Sequence, residues 1–260
     1  MAGFNWLAER ATRPELMDEP AMGAGTELRQ AHRHLRWLNH IFAASRPTLY
    51  GIQRLWVHAG KPETLSIADI GAGAGDINRR ILRWADGNRI DITIELIDLT
   101  MEACEEAKVL FADEPRIRVR QHDVFELDKG SADIVTCAQF LHHFHEEDVP
   151  RVVTRMLDIS RIGLAINDIH RHWLAWAAVW MTTRLISRNR YIRHDGPLSV
   201  AKGFRGSDWE RLRAVLPDGQ AMQYAWRPLF RYAVILLKDE HSMGEGSRNS
   251  TVKGERREPG

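Results

Sequence analysis

The chain has 260 residues, 36 Lys and Arg against 35 Asp and Glu, a formal charge of +1 and 44% hydrophobic residues. That is enough to bury one sizeable core with additions, and a charge so close to zero offers no general affinity for nucleic acid. Two cysteines, Cys104 and Cys137, form no disulfide framework and suit a reducing, cytoplasmic setting; no apolar stretch reaches the roughly 20 residues of a membrane span, no secretory signal is visible and no internal repeat stands out.

In chain order, residues 1 to 24 read as irregular, broken by Pro14 and Pro20. Thr26 suits the cap of a helix to Ala43, with Leu28, Ala31, Leu35, Leu38 and Phe42 at helical spacing. Pro47 interrupts, and a second helix carries Leu49, Ile52, Leu55, Trp56 and Ala59. Residues 1–62 are therefore expected to form a helical addition, either a brace on a sheet or a lid over a pocket.

From Leu65 the pattern becomes strand, helix, strand. Leu65, Ile67, Ala68 and Ile70 make a short apolar run that suits a buried strand. Gly71, Ala72, Gly73 and Gly75 follow, and a helical pattern resumes from Ile77. Glycines in such a turn let a ligand approach the backbone, and the following helix N-terminus suits an anion. The dinucleotide fingerprint needs its third glycine at position 76, where this chain has Asp76, which counts against NAD or FAD. Further strands are expected at 92–98, around Ile117 and Val119 before Gln121, and at 132–138, 162–166 and 232–237, with helices between the earlier ones at Thr100–Phe111 and from Val149 to Leu157. This alternation implies a parallel sheet covered on both faces.

Residues 171 to 187 form an unusual helix. Trp173, Trp176 and Trp180 share one face, while Leu174, Ala178, Met181 and Leu185 lie on another. A helix apolar nearly all round is buried or meets something greasy: the N-terminal helices, a second subunit, a membrane surface or an apolar substrate. A basic loop is expected over 188–195, then a helix capped at Ser207, and a disordered tail over 238–260.

Asp69, two residues before the first glycine, completes D-I-G-A-G-A-G, which resembles motif I of class I S-adenosylmethionine-dependent methyltransferases. The resemblance covers about Leu65 to Leu237, strongest to Phe144, and makes 63–237 the methyltransferase domain. It implies an α/β, Rossmann-like doubly wound sheet of seven strands, the last antiparallel, with S-adenosylmethionine as cofactor. Asp98, 23 residues after Gly75 at the end of a strand, falls where the family holds the ribose hydroxyls. Asp123 falls where an acid often meets the adenine amino group, and Leu99 and Val124 would flank the ring. Gln139 opens Q-F-L-H-H-F, which resembles the segment after strand four of small-molecule methyltransferases.

In phenolic O-methyltransferases the histidine after the leucine is the general base, matching His142; where that group has Asp this chain has His143, which leaves open which histidine serves. Asn167-Asp168-Ile169-His170 and Arg193-His194-Asp195 are candidates to shape the acceptor site or supply an alternative base, against the reading of a solvated loop with a helix cap at Asp168, and Trp176 is expected as a wall of the acceptor pocket. His142 and His143 are adjacent and need not converge, so no metal is expected. The favoured activity is methyl transfer to a hydroxyl of a small, largely apolar acceptor, aromatic or polyketide-like. Alternatives are C-methylation of quinone type, cofactor binding without turnover, and an NAD-linked oxidoreductase. The oligomeric state is not legible.

Overall fold

The computed structural model describes residues 7–16, 45–217 and 221–238. The expected helix over 26–43 and the tail after Lys238 lie outside these residues.

The seven strands are β1 (Thr64–Ile70), β2 (Asp91–Asp98), β3 (Ile117–Gln121), β4 (Ala132–Ala138), β5 (Ser160–Ile169), β6 (Met222–Arg227) and β7 (Arg231–Leu237). They form one sheet in the order β3-β2-β1-β4-β5-β7-β6. Pairing is parallel from β3 to β5, and β7 runs antiparallel to both β5 and β6. Chain order reverses between β1 and β4, the point in an open α/β sheet where a crevice opens beyond the carboxyl ends of the strands.

Among the described residues, seven helices flank the sheet: α1 (Ser45–His58), α2 (Asn78–Asn88), α3 (Met101–Leu110), α4 (Val149–Ile159), α5 (Trp173–Ile186), α6 (Arg190–Lys202) and α7 (Gly206–Val215). Side chains alternate across each strand. Leu65, Ile67 and Ile134 face one core with Ile52 and Leu55 of α1 and Ile81 and Leu82 of α2. Ala68, Ile70, Val135 and Cys137 face the other, with Val152 and Met156 of α4 and Trp209 of α7. Cys137 is core, as its apolar run suggests.

Several expectations need correction. Pro47 does not precede a helix but lies in the first turn of α1, where its missing N–H costs nothing. β5 runs to Ile169, three residues past its expected end, so Asn167 and Asp168 are buried strand residues and not a solvated loop. The cap of α5 is His172, whose ring nitrogen accepts from the Leu174 N–H at 3.2 Å.

The basic loop of 188–195 is largely helix α6. The Asn189 side chain accepts from the Tyr191 and Ile192 N–H groups and starts it. Burial of Tyr191, Ile192, Val200 and Ala201 overrides Gly196 and Pro197, both poor helix residues. At Gly196 an added Cβ would lie 3.0 Å from Thr183 and 3.1 Å from Val179 of α5, so glycine permits the close approach. Helix α7 starts one residue before the expected Ser207 cap: the Asp208 carboxylate accepts from the Arg205 N–H at 2.6 Å. Strand β6 is an edge strand that the sequence reading missed; Gln223 and Trp226 are exposed and only Met222 is fully buried, so no clear alternation marks it.

Helix α1 packs closely on the sheet. Ile52 and Leu55 are fully buried, and a Cβ on Gly51 would lie 2.8 Å from Ala165 of β5. Leu55→Ala should therefore cost about 2–5 kcal/mol in urea unfolding, the range for a buried leucine; a helix resting loosely on the sheet would lose well under 1 kcal/mol.

Candidate active site

The glycine loop leaves β1 with Gly71, Gly73 and Gly75 all at positive φ, +62°, +57° and +72°, a region that side chains disfavour. Their surroundings differ. A Cβ on Gly71 would overlap the Phe140 ring, and one on Gly75 would overlap Leu96 of β2. At Gly73 nothing lies within 4 Å of the Cβ position. Two glycines thus permit packing, while Gly73 presents open backbone.

Asp98 closes β2 and ties down this loop. One carboxylate oxygen accepts from the Gly73 N–H at 2.9 Å, the other from the Thr100 N–H and hydroxyl at 2.9 and 2.8 Å. The next strand end adjoins it, because the His122 N–H donates to the Asp98 carbonyl at 3.0 Å. Asp123 follows, its carboxylate accepting from the Phe125 N–H at 2.9 Å. Leu99 is largely exposed and Val124 is buried. Gln139, at φ +54°, turns the chain off β4 and donates its N–H to the Asn167 carbonyl at 2.8 Å.

Asp69 lies beneath the loop and is buried. The Asn78 side-chain amide of α2 donates to one of its oxygens at 2.6 Å, while the other has no hydrogen-bond partner among the described residues. Burial pushes this carboxyl up to about 7; nearby Asp76 and Asp98 act in the same sense and Asn78 opposes them.

The second half of the site follows from β4 lying beside β5. Ala138 pairs with Asn167, so the 3₁₀ turn Leu141–His143 beyond β4 lies over the end of β5. The His142 ring is buried, and its Nδ1 lies 2.7 Å from the Asp168 carboxylate. Burial alone would raise the Asp168 carboxyl, but His142, the Ile169 N–H and Arg231 hold it below the ordinary carboxylate range. Arg231 is itself lowered to about 10 by burial, with Asp168 opposing the fall. His143 is exposed and its ring packs 4.3 Å from that of His142. The two histidines are thus unlike: one is fixed on a carboxylate, the other faces outward.

Segment 7–16 covers His142. Arg10 donates to the Phe144 and Lys202 carbonyls at 3.1 and 2.9 Å. Arg171 donates to the Leu7 and Ala8 carbonyls at 3.0 and 3.2 Å. Glu15 places a buried carboxylate oxygen 3.8 Å from His142 Nε2 and 3.4 Å from Lys202 Nζ. Ligand-type atoms of Glu15, His142 and His143 all lie within 4.8 Å of one another, so the adjacent histidines, which need not converge, do so here. The Lys202 ammonium already supplies positive charge to this carboxylate. A cavity of about 950 Å³ opens beside the segment, bordered by Arg13, His143, Glu146, Lys202 and Arg211.

The other proposed acceptor residues lie elsewhere. His170 sits in an aromatic cluster with Phe230 and Tyr232, accepting at Nδ1 from the Trp226 indole N–H at 3.2 Å. Burial, with His172 and two arginines nearby, lowers it to about 4. His194 is half-exposed on α6 and paired with Asp195 at 2.8 Å. Trp176 packs with Ile169, Ala175 and Val200 between α5 and α6. Sequence reasoning did not single out Glu15, Lys202 or Arg10. No local motif marks them, because long-range packing alone brings them to His142.

Comparison with known proteins bears on the fold. Residues 67–163 match the family model described as a methyltransferase domain. The plantazolicin methyltransferase BpumL, solved in complex with SAH, is 14% identical with TM-score 0.64, over 83% of this chain and 91% of that one. Human N-acetylserotonin methyltransferase, in complex with SAM, is 16% identical with TM-score 0.56, over 80% of this chain and 55% of that one. The citrinin polyketide synthase CMeT domain is 13% identical with TM-score 0.49, and this chain spans 46% of its length. No curated protein matches the chain as a sequence. Residues 67–163 thus carry the likeness to a methyltransferase domain, and the sheet has the seven-stranded fold of the class I S-adenosylmethionine-dependent methyltransferases.

Two outcomes follow. Gly73→Val should abolish S-adenosylmethionine binding in calorimetry while the protein stays folded, whereas Gly75→Val should lower the melting temperature by forcing Leu96 aside; unchanged affinity in folded Gly73→Val would contradict the cradle. The second outcome concerns Asp69, whose folded pKa lies above its unfolded value. Its contribution is fully present below about pH 4 and is lost as pH rises toward 7. Asp69→Asn keeps the bond to Asn78 and removes the titration. The cofactor-free variant should match the wild type near pH 4 and exceed it at pH 8, by roughly 4 kcal/mol at most for a three-unit shift.

Proposed function

We propose that the protein transfers a methyl group from S-adenosylmethionine to a hydroxyl of a small, largely apolar acceptor, with His142 as general base. The observation that carries this reading is the 2.7 Å contact of His142 Nδ1 with Asp168 at the sheet edge that also bears the glycine loop. A carboxylate on Nδ1 favours the tautomer with its proton there. That leaves the Nε2 lone pair to accept the acceptor's proton as its oxygen bonds to carbon. A phenol near pKa ~10 is a poor nucleophile until a base near ~6.5 relieves it of its proton.

When bound, the cofactor supplies an electrophilic methyl group on a sulfonium sulfur. Gly73 offers the open backbone against which it would lie, and Asp98 fixes that backbone while standing where ribose hydroxyls would donate. Asp123, Leu99 and Val124 border the adenine end. Asp168 holds the imidazole in place and stabilises the imidazolium that forms, so it acts as a positioning residue. Segment 7–16 excludes water from the base, and Glu15 lies on the Nε2 side where the acceptor must enter. This assigns the lid role to the N-terminal segment and the brace role to α1.

C-methylation begins with the same base removing a carbon-bound proton, so product analysis decides between the two. His142→Ala should lower kcat about 10²–10⁴-fold with S-adenosylmethionine affinity near wild type, measured over a panel of phenols with identification of the methylated atom. Asp168→Asn should reproduce part of that loss. Full activity in His142→Ala with loss in His143→Ala would move the role to the exposed histidine, and no turnover of any hydroxylated acceptor, with carbon-methylated product instead, would overturn the O-specific reading.

A further inference from the structure

Helix α5 carries more exposed apolar surface than its place in the fold explains. Trp173, Leu174, Trp180, Met181 and Leu185 are 46%, 45%, 40%, 55% and 80% exposed. At 3.6 residues per turn these five positions fall within an arc of about 140°. The opposite side is occupied: Ala175 and Thr183 are buried, and Trp176 and Val179 pack toward α6. The stripe is therefore a second apolar face on a helix that already has one in the core. Contiguous exposed apolar surface of this kind marks an interaction site.

The charge around it identifies the partner. From Ile169 to His194 the chain has five arginines, at 171, 184, 188, 190 and 193, and no Asp or Glu, although the whole protein has a formal charge of only +1. Arg171 is buried against Asp208 at 3.1 Å; the other four lie at the carboxyl end of α5 and the start of α6. The Arg184 guanidinium stacks 4.1 Å from the Trp180 ring, and Arg193 reaches back to the Ser187 and Arg184 carbonyls at 2.6 and 3.1 Å. An apolar stripe with tryptophans at its margin and arginines at one end is the pattern of a helix lying in a membrane interface. No helix among the described residues is long and apolar enough to cross a membrane, so the contact is with one leaflet.

We infer that α5 is a peripheral membrane anchor, which sets Leu174, Met181 and Leu185 among lipid acyl chains and Arg184 and Arg188 against anionic headgroups. A second copy of the chain is the weaker partner, because a twofold contact through this face brings two acid-free, arginine-bearing segments together. The same placement, on the proposed reading of His142 as base, gives the helix a use in the reaction: α5 begins five residues after Asp168, so an acceptor dissolved in the leaflet is delivered beside the base.

The test is cosedimentation of the full chain with vesicles of phosphatidylcholine alone or with about 30% phosphatidylglycerol, at low and high salt, alongside light scattering without lipid. The expected result is binding to the anionic vesicles that weakens with salt. Met181→Glu with Leu185→Glu should weaken it at least ~10-fold while melting temperature and S-adenosylmethionine affinity hold, and Arg184→Glu with Arg188→Glu should remove the preference for anionic lipid. Three results overturn the inference: no sedimentation with anionic vesicles, binding that the Met181 and Leu185 substitutions leave unchanged, or a lipid-free dimer that those substitutions dissociate.

Discussion

Everything distinctive in this site depends on two parallel strands lying side by side. β4 and β5 pair with Ala138 against Asn167, and that register lays the turn after β4 over the last residues of β5. His142 then meets Asp168 at 2.7 Å in a place where neither reaches water. A carboxylate buried so fully keeps its charge only because cationic or donating groups surround it, and here His142, Arg231 and the Ile169 N–H do so. The pair is a structural bond between two strand ends and, in the proposed reaction, holds the base.

The cofactor half of the crevice rests on the same sheet edge but on a different device. Asp98 makes three hydrogen bonds that pin the glycine loop and the start of α3 together. Gly71 and Gly75 are small because Phe140 and Leu96 occupy the adjoining space, and Gly73 alone keeps an open flank. Phe140 belongs to the same post-β4 segment as His142, so packing ties the loop to that segment. Over this frame, segment 7–16 is held through backbone carbonyls by Arg10 and Arg171, and Glu15 and Lys202 add a buried ion pair beside His142.

The sheet was legible in the sequence because five of its strands are short apolar runs, each ending in a turn or a polar residue, and the resemblance in D-I-G-A-G-A-G supplied the topology. Asp98, Gly73 and His142 were legible for the same reason: each stands at a strand end within a local motif. Asp168 was visible only as one polar residue among Asn167, Asp168 and His170, since its importance comes from the β4–β5 register and not from its neighbours in the chain. Helix α6 was hidden by Gly196 and Pro197, whose low helical propensity is overcome by packing against α5. Glu15 and Lys202 carry no local signal: they meet across more than 180 residues of chain. The exposed stripe of α5 was half legible, since the surplus apolar face shows in the sequence but the side of the helix left open does not.

The central claim is that Asp168 fixes His142 with a proton on Nδ1 and a lone pair on Nε2. Side-chain ¹⁵N spectra of the histidines, recorded on the protein saturated with S-adenosylhomocysteine at about pH 8, report this directly. The account predicts a neutral His142 ring protonated at Nδ1, with that preference lost in Asp168→Asn. A ring protonated at Nε2, or a tautomer that the Asp168 substitution leaves unchanged, would contradict it.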